Sequence, residues 1–318
     1  MLMFGVDGEV LEARSLVLGR PEAAFEECRT VLSVQPHPDD TELGAGGLVA
    51  KLTSRGVRVV YVTVTDGGCG TTDKSVSWEE LAVIRRKEQE EAASILGVSE
   101  LVWLGYRDTE AVATTRLRDQ IISLIRIYKP DLVLTVDPWL TYEAHRDHRE
   151  TGLAVSEAFL LSGLPNVNRA DLECGLEPHS PDYISYYWTR KPNVYIDVSP
   201  WMELKFKAIA AHKSQFTEES LALFRKYFEL LGRRAGHSYA EAFKVMNSTA
   251  LHCNVFQHGC TSGAPDPAAT LKPVLIDKKP AHLQLVENYS HVTQNLHTLF
   301  LDTVCQVLHL AHEAQLEV

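Results

Sequence analysis

Val31-Leu32-Ser33-Val34-Gln35-Pro36-His37-Pro38-Asp39-Asp40-Thr41-Glu42-Leu43-Gly44-Ala45-Gly46-Gly47 is the stretch that decides the architecture. It opens with a short apolar run, crosses a polar loop and enters a glycine-rich helix start. The next apolar run, Val57 to Thr65, is rich in β-branched residues, as expected of a strand buried on both faces. Trp78 to Leu96 then has helical spacing with mixed charges and stops at Gly97, a common helix C-terminal signal. Leu101 to Leu104 reads as a short strand. Thr115 to Tyr128 is an amphipathic helix, with Leu117, Ile121, Leu124 and Ile125 on one side and Pro130 closing it off. Leu132 to Val136 is another strand and Thr151 to Leu161 another helix.

Strands and helices that alternate through short connections imply a parallel sheet covered on both faces. The fold class is therefore α/β, a Rossmann-like three-layer sandwich with a mainly parallel sheet, plus a C-terminal helical extension. Beyond Gly163 the pattern loosens. Strands are expected at Tyr183 to Tyr187 and Val194 to Val198, and helices at Trp201 to His212, Glu218 to Leu231 and Tyr239 to Met246. The organisation reads as an N-terminal extension over 1–28, a catalytic domain over 29–248, a linker over 249–281 and a C-terminal helix over 282–318. The linker is rich in Gly, Pro and Thr. The final helix repeats Leu285, Val292, Leu296, Leu299 and Val304 in heptad-like fashion and needs a partner surface.

Composition narrows the function classes. The chain of 318 residues carries a formal net charge of -11. Without clustered Lys and Arg it is a poor nucleic-acid binder, and it lacks the polybasic patch that docks proteins on anionic membranes. Asp7, Glu9, Glu12 and Arg14 interrupt any leader-like apolar region, and no run reaches the ~20 residues of a bilayer span. Six cysteines without CxxC spacing suggest buried or free thiols rather than a disulfide framework. A cytoplasmic enzyme is the expectation.

The chemistry concentrates in two places. Gln35 to Glu42 puts a histidine and two adjacent aspartates directly after the first strand, where open α/β sheets bind ligands. Prolines on both sides of His37 stiffen that loop. The bland alternative is a polar loop whose Asp39 or Asp40 caps the next helix. The second cluster, His145-Arg146-Asp147-His148, follows the Leu132 to Val136 strand across a loop; its bland reading is a solvated first helical turn. Taken together, His37, Asp40 and His148 supply two imidazoles and one carboxylate, a donor set suited to zinc with one position left for water.

Pro-His-Pro-Asp-Asp-x-Glu with a downstream His-x-Asp-His resembles the LmbE-like (PIG-L) family of zinc N-deacetylases. The likeness extends through Leu43 to Gly47, Val62 to Gly67, Arg85 with Glu88, Leu96-Gly97, Leu104 to Tyr106 with Asp108, and His212-Lys213-Ser214-Gln215, so it spans about Val31 to Met246. Members of that family deacetylate N-acetylglucosamine-containing compounds, including inositol conjugates, antibiotic sugars and chitobiose. The resemblance implies one zinc ion per subunit, ligated by His37, Asp40 and His148, with Asp39 as the general base toward the metal-bound water. It implies His145 as an oxyanion donor, able also to protonate the leaving amine. Asp147 is implied as a carboxylate orienting His145 or His148, and Arg85 and Asp108 fall at family positions near the site. Tyr142 is a weaker candidate for the oxyanion pocket, and His212 is expected to be structural.

The segment Gly236 to Phe243 resembles chitobiose-type deacetylases, in which a histidine from this region reaches a neighbouring subunit's site. That points to His237 and to a homo-oligomer, trimeric or hexameric; otherwise His237 is a surface residue at a helix start. The implied partner is a small acetylated amino sugar, with Cys69 to Trp78 and Leu164 to Asp182 as the walls of its pocket. Three rivals stand beside this reading. A nucleotide-binding dehydrogenase fails because Val49 occupies the third glycine position of GxGxxG and the acidic loop sits where phosphates would lie. A zinc hydrolase of another acyl substrate and a non-catalytic binding member of the same fold remain open.

Overall fold

The computed structural model describes residues 20–252. The expected linker beyond residue 252 and the C-terminal helix over 282–318 lie outside the described residues. The strands are β1 (Thr30–Gln35), β2 (Arg58–Thr65), β3 (Glu100–Tyr106), β4 (Leu132–Val136), β5 (Tyr183–Tyr187), β6 (Val194–Asp197) and β7 (Ala240–Met246). The helices are α1 (Ala23–Glu26), α2 (Asp40–Thr53), α3 (Trp78–Leu96), α4 (Thr115–Tyr128), α5 (Arg146–Leu161), α6 (Ala170–Glu173), α7 (Met202–Ile209), α8 (Glu218–Ala235) and α9 (Ser248–Leu251).

The sheet runs β3-β2-β1-β4-β5-β7-β6. The first five strands are mutually parallel, and β7 is antiparallel to both β5 and β6. Val31, Val59, Tyr61, Leu132 and Leu134 face one apolar layer with α2; Leu32, Val34, Val60, Val62 and Val133 face the other with α4 and α5. Both layers are buried, which explains why β1, β2 and β4 read as near-continuous apolar runs. The expected sandwich is thus observed. Strand order reverses between β1 and β4, so a crevice opens at their carboxyl ends, and the His37 loop emerges there.

Local signals account for most boundaries. Ser77 and Glu80 form a reciprocal capping box at the start of α3, and Gly97 ends it in the left-handed region (φ 73°). Thr217 with Ser220 does the same for α8, which closes on Gly236.

Several expectations need correction. Tyr239 to Met246 is not a helix: β7 fills Ala240–Met246 and is zipped between β5 and β6. Its Ala and Glu residues favour helix weakly, and pairing with two neighbours outweighs that preference. The helix expected from Thr151 begins at Arg146, so His148 lies on its first turn. The segment before β1 is also no mere extension, because Ala24, Phe25 and Cys28 are buried in the core and Phe25 packs 5.2 Å from Phe243. Among the described residues, Cys28 and Cys69 are free thiols. Among the described residues no helix is long and apolar enough to cross a membrane.

Candidate active site

At the carboxyl edge of the sheet, the loop after β1 brings His37, Asp39 and Asp40. The turn after β3 brings Asp108, and the first turn of α5 brings Asp147 and His148. Buried amides lock the β1 loop. Gln35 donates to Thr63 (2.9 Å) and to Gln89 Oε1 (2.8 Å), and its own oxygen accepts from Thr41 N–H (2.9 Å). Gln89 in turn accepts from Asp39 N–H (3.0 Å) and donates to Glu42 (2.7 Å). These contacts hold Asp39 at φ 101°, a conformation non-glycine residues rarely adopt and one that costs about 1–3 kcal/mol.

Asp40 bridges the two histidines. Its Oδ2 accepts from the His37 backbone N–H (2.9 Å) and lies 3.3 Å from His37 Nδ1, while its Oδ1 lies 3.4 Å from His148 Nε2. Burial alone would raise the Asp40 pKa, but His148 and His37 outweigh it and hold the carboxyl well below the usual range. On its other edge His37 Nε2 is 3.2 Å from both Asp108 Oδ1 and Asp147 Oδ2. Burial works against a charged His37, yet its contacts with Asp108, Asp147 and Asp40 raise its pKa well above the ordinary value. Asp147 is itself fixed by the backbone N–H groups of Thr109 (2.7 Å) and Ala111 (3.1 Å).

This donor set is of a kind that could hold a divalent metal. A carboxylate kept ionised faces one nitrogen of each imidazole, and the remaining nitrogen of His37 is turned onto carboxylates, the arrangement that fixes tautomer and ring orientation in metal sites. Among the described residues, donor atoms fall within 4.8 Å of one another in two groups, His37 with His145 and His148, and His37 with Asp108 and Asp147, while Asp40 turns a different oxygen to each of His37 and His148. The chemistry of two imidazoles with an oxygen donor suits zinc.

Asp39 stands beside this cluster. Arg85, reaching from α3 and buried, donates to Asp39 Oδ2 (2.8 Å), to Pro38 O (2.5 Å) and to Gly67 O (3.0 Å). Gly67 has no side chain for a physical reason: a Cβ there would fall 2.4 Å from Arg85 Nη1. Burial pushes Asp39 up to about 7, against the pull of Arg85 and with help from Asp40. His145 is more exposed, its ring 4.6 Å from that of His37 and edge-on to it. Burial, His37 and His148 together lower its pKa below the ordinary value.

Of the residues singled out from sequence, His37, Asp39, Asp40, Arg85, Asp108, His145, Asp147 and His148 meet here. His237 does not. It lies before β7, three strand positions from β1, on the order of 14 Å across the sheet. Its Nδ1 is 3.6 Å from Asp197. The side-chain contact of Asp147 within the cluster is with His37 Nε2 (3.2 Å), where one with His145 or His148 was expected. The Leu164 to Asp182 segment is no pocket wall. It wraps Arg126 near the C-terminus of α4, where the guanidinium binds Ser162 O, Leu164 O and Asp171, and Asp182 N–H bonds Asp131 O at the amino end of the sheet. Tyr142 is 93% exposed.

Sequence reading missed Gln35, Gln89 and Glu143. Gln89 was detectable, since it follows Arg85 by one helical turn and so shares its face. Glu143 Oε2 is 3.5 Å from His148 Nδ1, across a loop contact no local pattern reveals. Glu88, noted with Arg85, accepts from Ser214 N–H (2.8 Å) and its hydroxyl (2.6 Å), tying the His212 to Gln215 segment to α3.

The PIG-L family, described as GlcNAc-PI de-N-acetylase, matches residues 32–159, which contain every residue of this cluster. Diacetylchitobiose deacetylase of Thermococcus kodakarensis is 43% identical over 238 residues, covering 74% of this chain and 89% of that protein. The chain belongs to the PIG-L family. A probable N-acetyl-alpha-D-glucosaminyl L-malate deacetylase of Bacillus anthracis is 32% identical, covering 63% of this chain and 87% of its own length. Among solved structures, N,N'-diacetylchitobiose deacetylase from Pyrococcus horikoshii superposes with a TM-score of 0.74 at 40% identity, covering 80% of this chain and 98% of that one. The PIG-L relatives are deacetylases, and the expectation of an amide hydrolase on a Rossmann-like sandwich is borne out.

Proposed function

We propose that this PIG-L family protein removes the acetyl group from an N-acetylglucosamine-type sugar or glycoconjugate, leaving a free amine and acetate. The carrying observation is one carboxylate, Asp40, facing a nitrogen of both His37 and His148 beside an Asp39 clamped by Arg85. In this reading His37, Asp40 and His148 hold one zinc ion per subunit. Zinc in such a set lowers the pKa of water from 15.7 to about 7 and polarises the amide oxygen.

The chain's own residues do the rest. Asp39, with a pKa pushed up to about 7, accepts a proton from the attacking water at neutral pH and can return it to the departing amine. Arg85 keeps its carboxylate aimed while leaving it basic. His145, its pKa lowered by burial and by His37 and His148, donates a hydrogen bond to the developing oxyanion, a contact of the kind worth ~3 kcal/mol. Its lowered pKa makes it a less apt source of the amine's proton than Asp39. Asp108 and Asp147 hold the Nε2 edge of His37 and so direct Nδ1 toward Asp40.

The sugar assignment is supported by the relatives, which are named for chitobiose and for an N-acetylglucosaminyl malate. A homo-oligomer is supported by α8, where Leu223, Tyr227 and Leu230 repeat at helical spacing and stay 69%, 40% and 50% exposed. His237 follows that helix and is accessible to a second subunit, the role we propose for it. Sedimentation at low concentration reads the subunit number, and a monomer removes this part of the reading.

The deciding assay is acetate release from N-acetylglucosamine, diacetylchitobiose and the inositol- and malate-linked N-acetylglucosaminides. Chelated protein should be silent, and added zinc should restore acetate from at least one of them. Zinc-loaded protein that releases none overturns the sugar reading.

A further inference from the structure

Glu241 and Lys205 form an ion pair with no exposure at all, Nζ to Oε1 being 2.6 Å. What the pair touches is unusual. Glu241 Oε1 accepts from Gly47 N–H and Oε2 from Leu48 N–H, both at 2.8 Å, in the middle of α2. Lys205 Nζ donates to Leu43 O at 2.8 Å. In an α-helix, Gly47 N–H is the partner of Leu43 O. The ion pair therefore engages both ends of one rung of the α2 ladder, three to eight residues past Asp40.

The sequence makes room for this. A Cβ at Gly47 would sit 2.7 Å from Val198 Cβ and 3.0 Å from Glu241 Oε1, and one at Gly46 would sit 3.2 Å from Lys205 Cγ. The Gly46-Gly47 step is thus the notch that admits the pair. Lys205 comes from α7 and Glu241 from β7, so elements far from α2 in sequence converge on it. Glu241 also lies in the Gly236 to Phe243 stretch singled out for His237, and it is the buried member of that motif.

Replacing a buried ion pair by apolar residues of similar volume is often neutral or stabilising, so bulk stability does not account for it. Fixing one backbone register is a better-attested use of such pairs.

We propose that Lys205 and Glu241 are positioning residues that set the axial register of α2 and thereby hold Asp39 and Asp40 in place against His37 and His148. This rests on the zinc site proposed above. The test is zinc affinity by competition with a chromogenic chelator, alongside thermal unfolding of the zinc-free protein. The double variant Lys205→Met/Glu241→Leu should unfold within a few degrees of the unaltered chain yet bind zinc about 10–100-fold more weakly, the usual loss when a group supporting a ligand is removed. Zinc affinity within twofold of the unaltered chain overturns the proposal. Glu241→Gln, close to isosteric, gives a second reading on its folded fraction and should show a loss of the same order; unchanged affinity there also overturns it. Asp40→Asn is the control. If it binds zinc normally, the zinc site itself falls, and the proposal with it.

Discussion

Arg85→Met is the substitution that tests the site most directly. Methionine fills much of the buried volume but removes every contact of the guanidinium with Asp39, Pro38 and Gly67. A hydrogen bond to a charged group is worth about 1.5–3 kcal/mol, and 1.36 kcal/mol is one pH unit, so Asp39 should rise by about 1–2 units. Because it already stands at about 7, the acid limb of kcat/KM should move to about 8–9. Breaking a buried pair from one side costs about 3–5 kcal/mol, toward the lower end here because Asp39 can take a proton instead. The sign follows from linkage. With a folded pKa above the ordinary 3.8, Asp39 contributes stability at low pH that is lost as pH rises through its folded value. The gap in unfolding midpoint between the variant and the parent should therefore widen from pH 6 to pH 9. The assays are initial rates across that range and calorimetry at both ends. An acid limb that stays where it was, with a constant gap in midpoint, refutes the pairing of Arg85 with a catalytic Asp39.

Three further outcomes follow from the same contacts. Asp39→Asn should cut kcat by roughly 10²–10⁴-fold, the range for loss of a general base, while chelator competition shows zinc binding intact. Gly44→Ala places a Cβ 2.2 Å from Tyr187 Cδ2 in a fully buried position, and overpacking of that kind should cost about 1–3 kcal/mol, read as a drop of several degrees in the unfolding midpoint. His212 is buried with neither ring nitrogen bonded, and burial lowers its pKa from 6.5 to about 3. Its depressed value means stability present above pH 6.5 is lost progressively as the pH falls toward 3. Between pH 7 and pH 5 that loss is about 2 kcal/mol, and His212→Leu should remove it, as urea midpoints at the two pH values would show.

Much of this molecule was legible from sequence, for identifiable reasons. The first five strands and the helices between them each carry a local signature: β-branched runs in β1, β2 and β4, the Leu117 and Ile121 face of α4, and Gly97 closing α3. Their alternation leaves one way to bury both faces of the sheet, and that placed the Gln35 to Glu42 loop at a strand end. His37, Asp39, Asp40 and His148 were legible because the motif is short and chemically costly.

What only the tertiary structure decided depends on partners distant in the chain. Ala240 to Met246 has no periodicity strong enough to choose between helix and strand, and the two open edges of β5 and β6 chose. Asp147 was expected to serve its neighbours at 145 and 148, but helix geometry turns it inward onto His37, 110 residues earlier. Gln35 and Gln89, 54 residues apart, brace the loop through a bond between two buried amides that no sequence window contains. Lys205 and Glu241 are ordinary charges in the sequence, and only the notch at Gly46-Gly47 makes them a pair inside α2. Periodicity reports which face of an element is apolar, a local property of the chain. Which polar group meets which is set by how the elements cross, and that is fixed only when the layers pack.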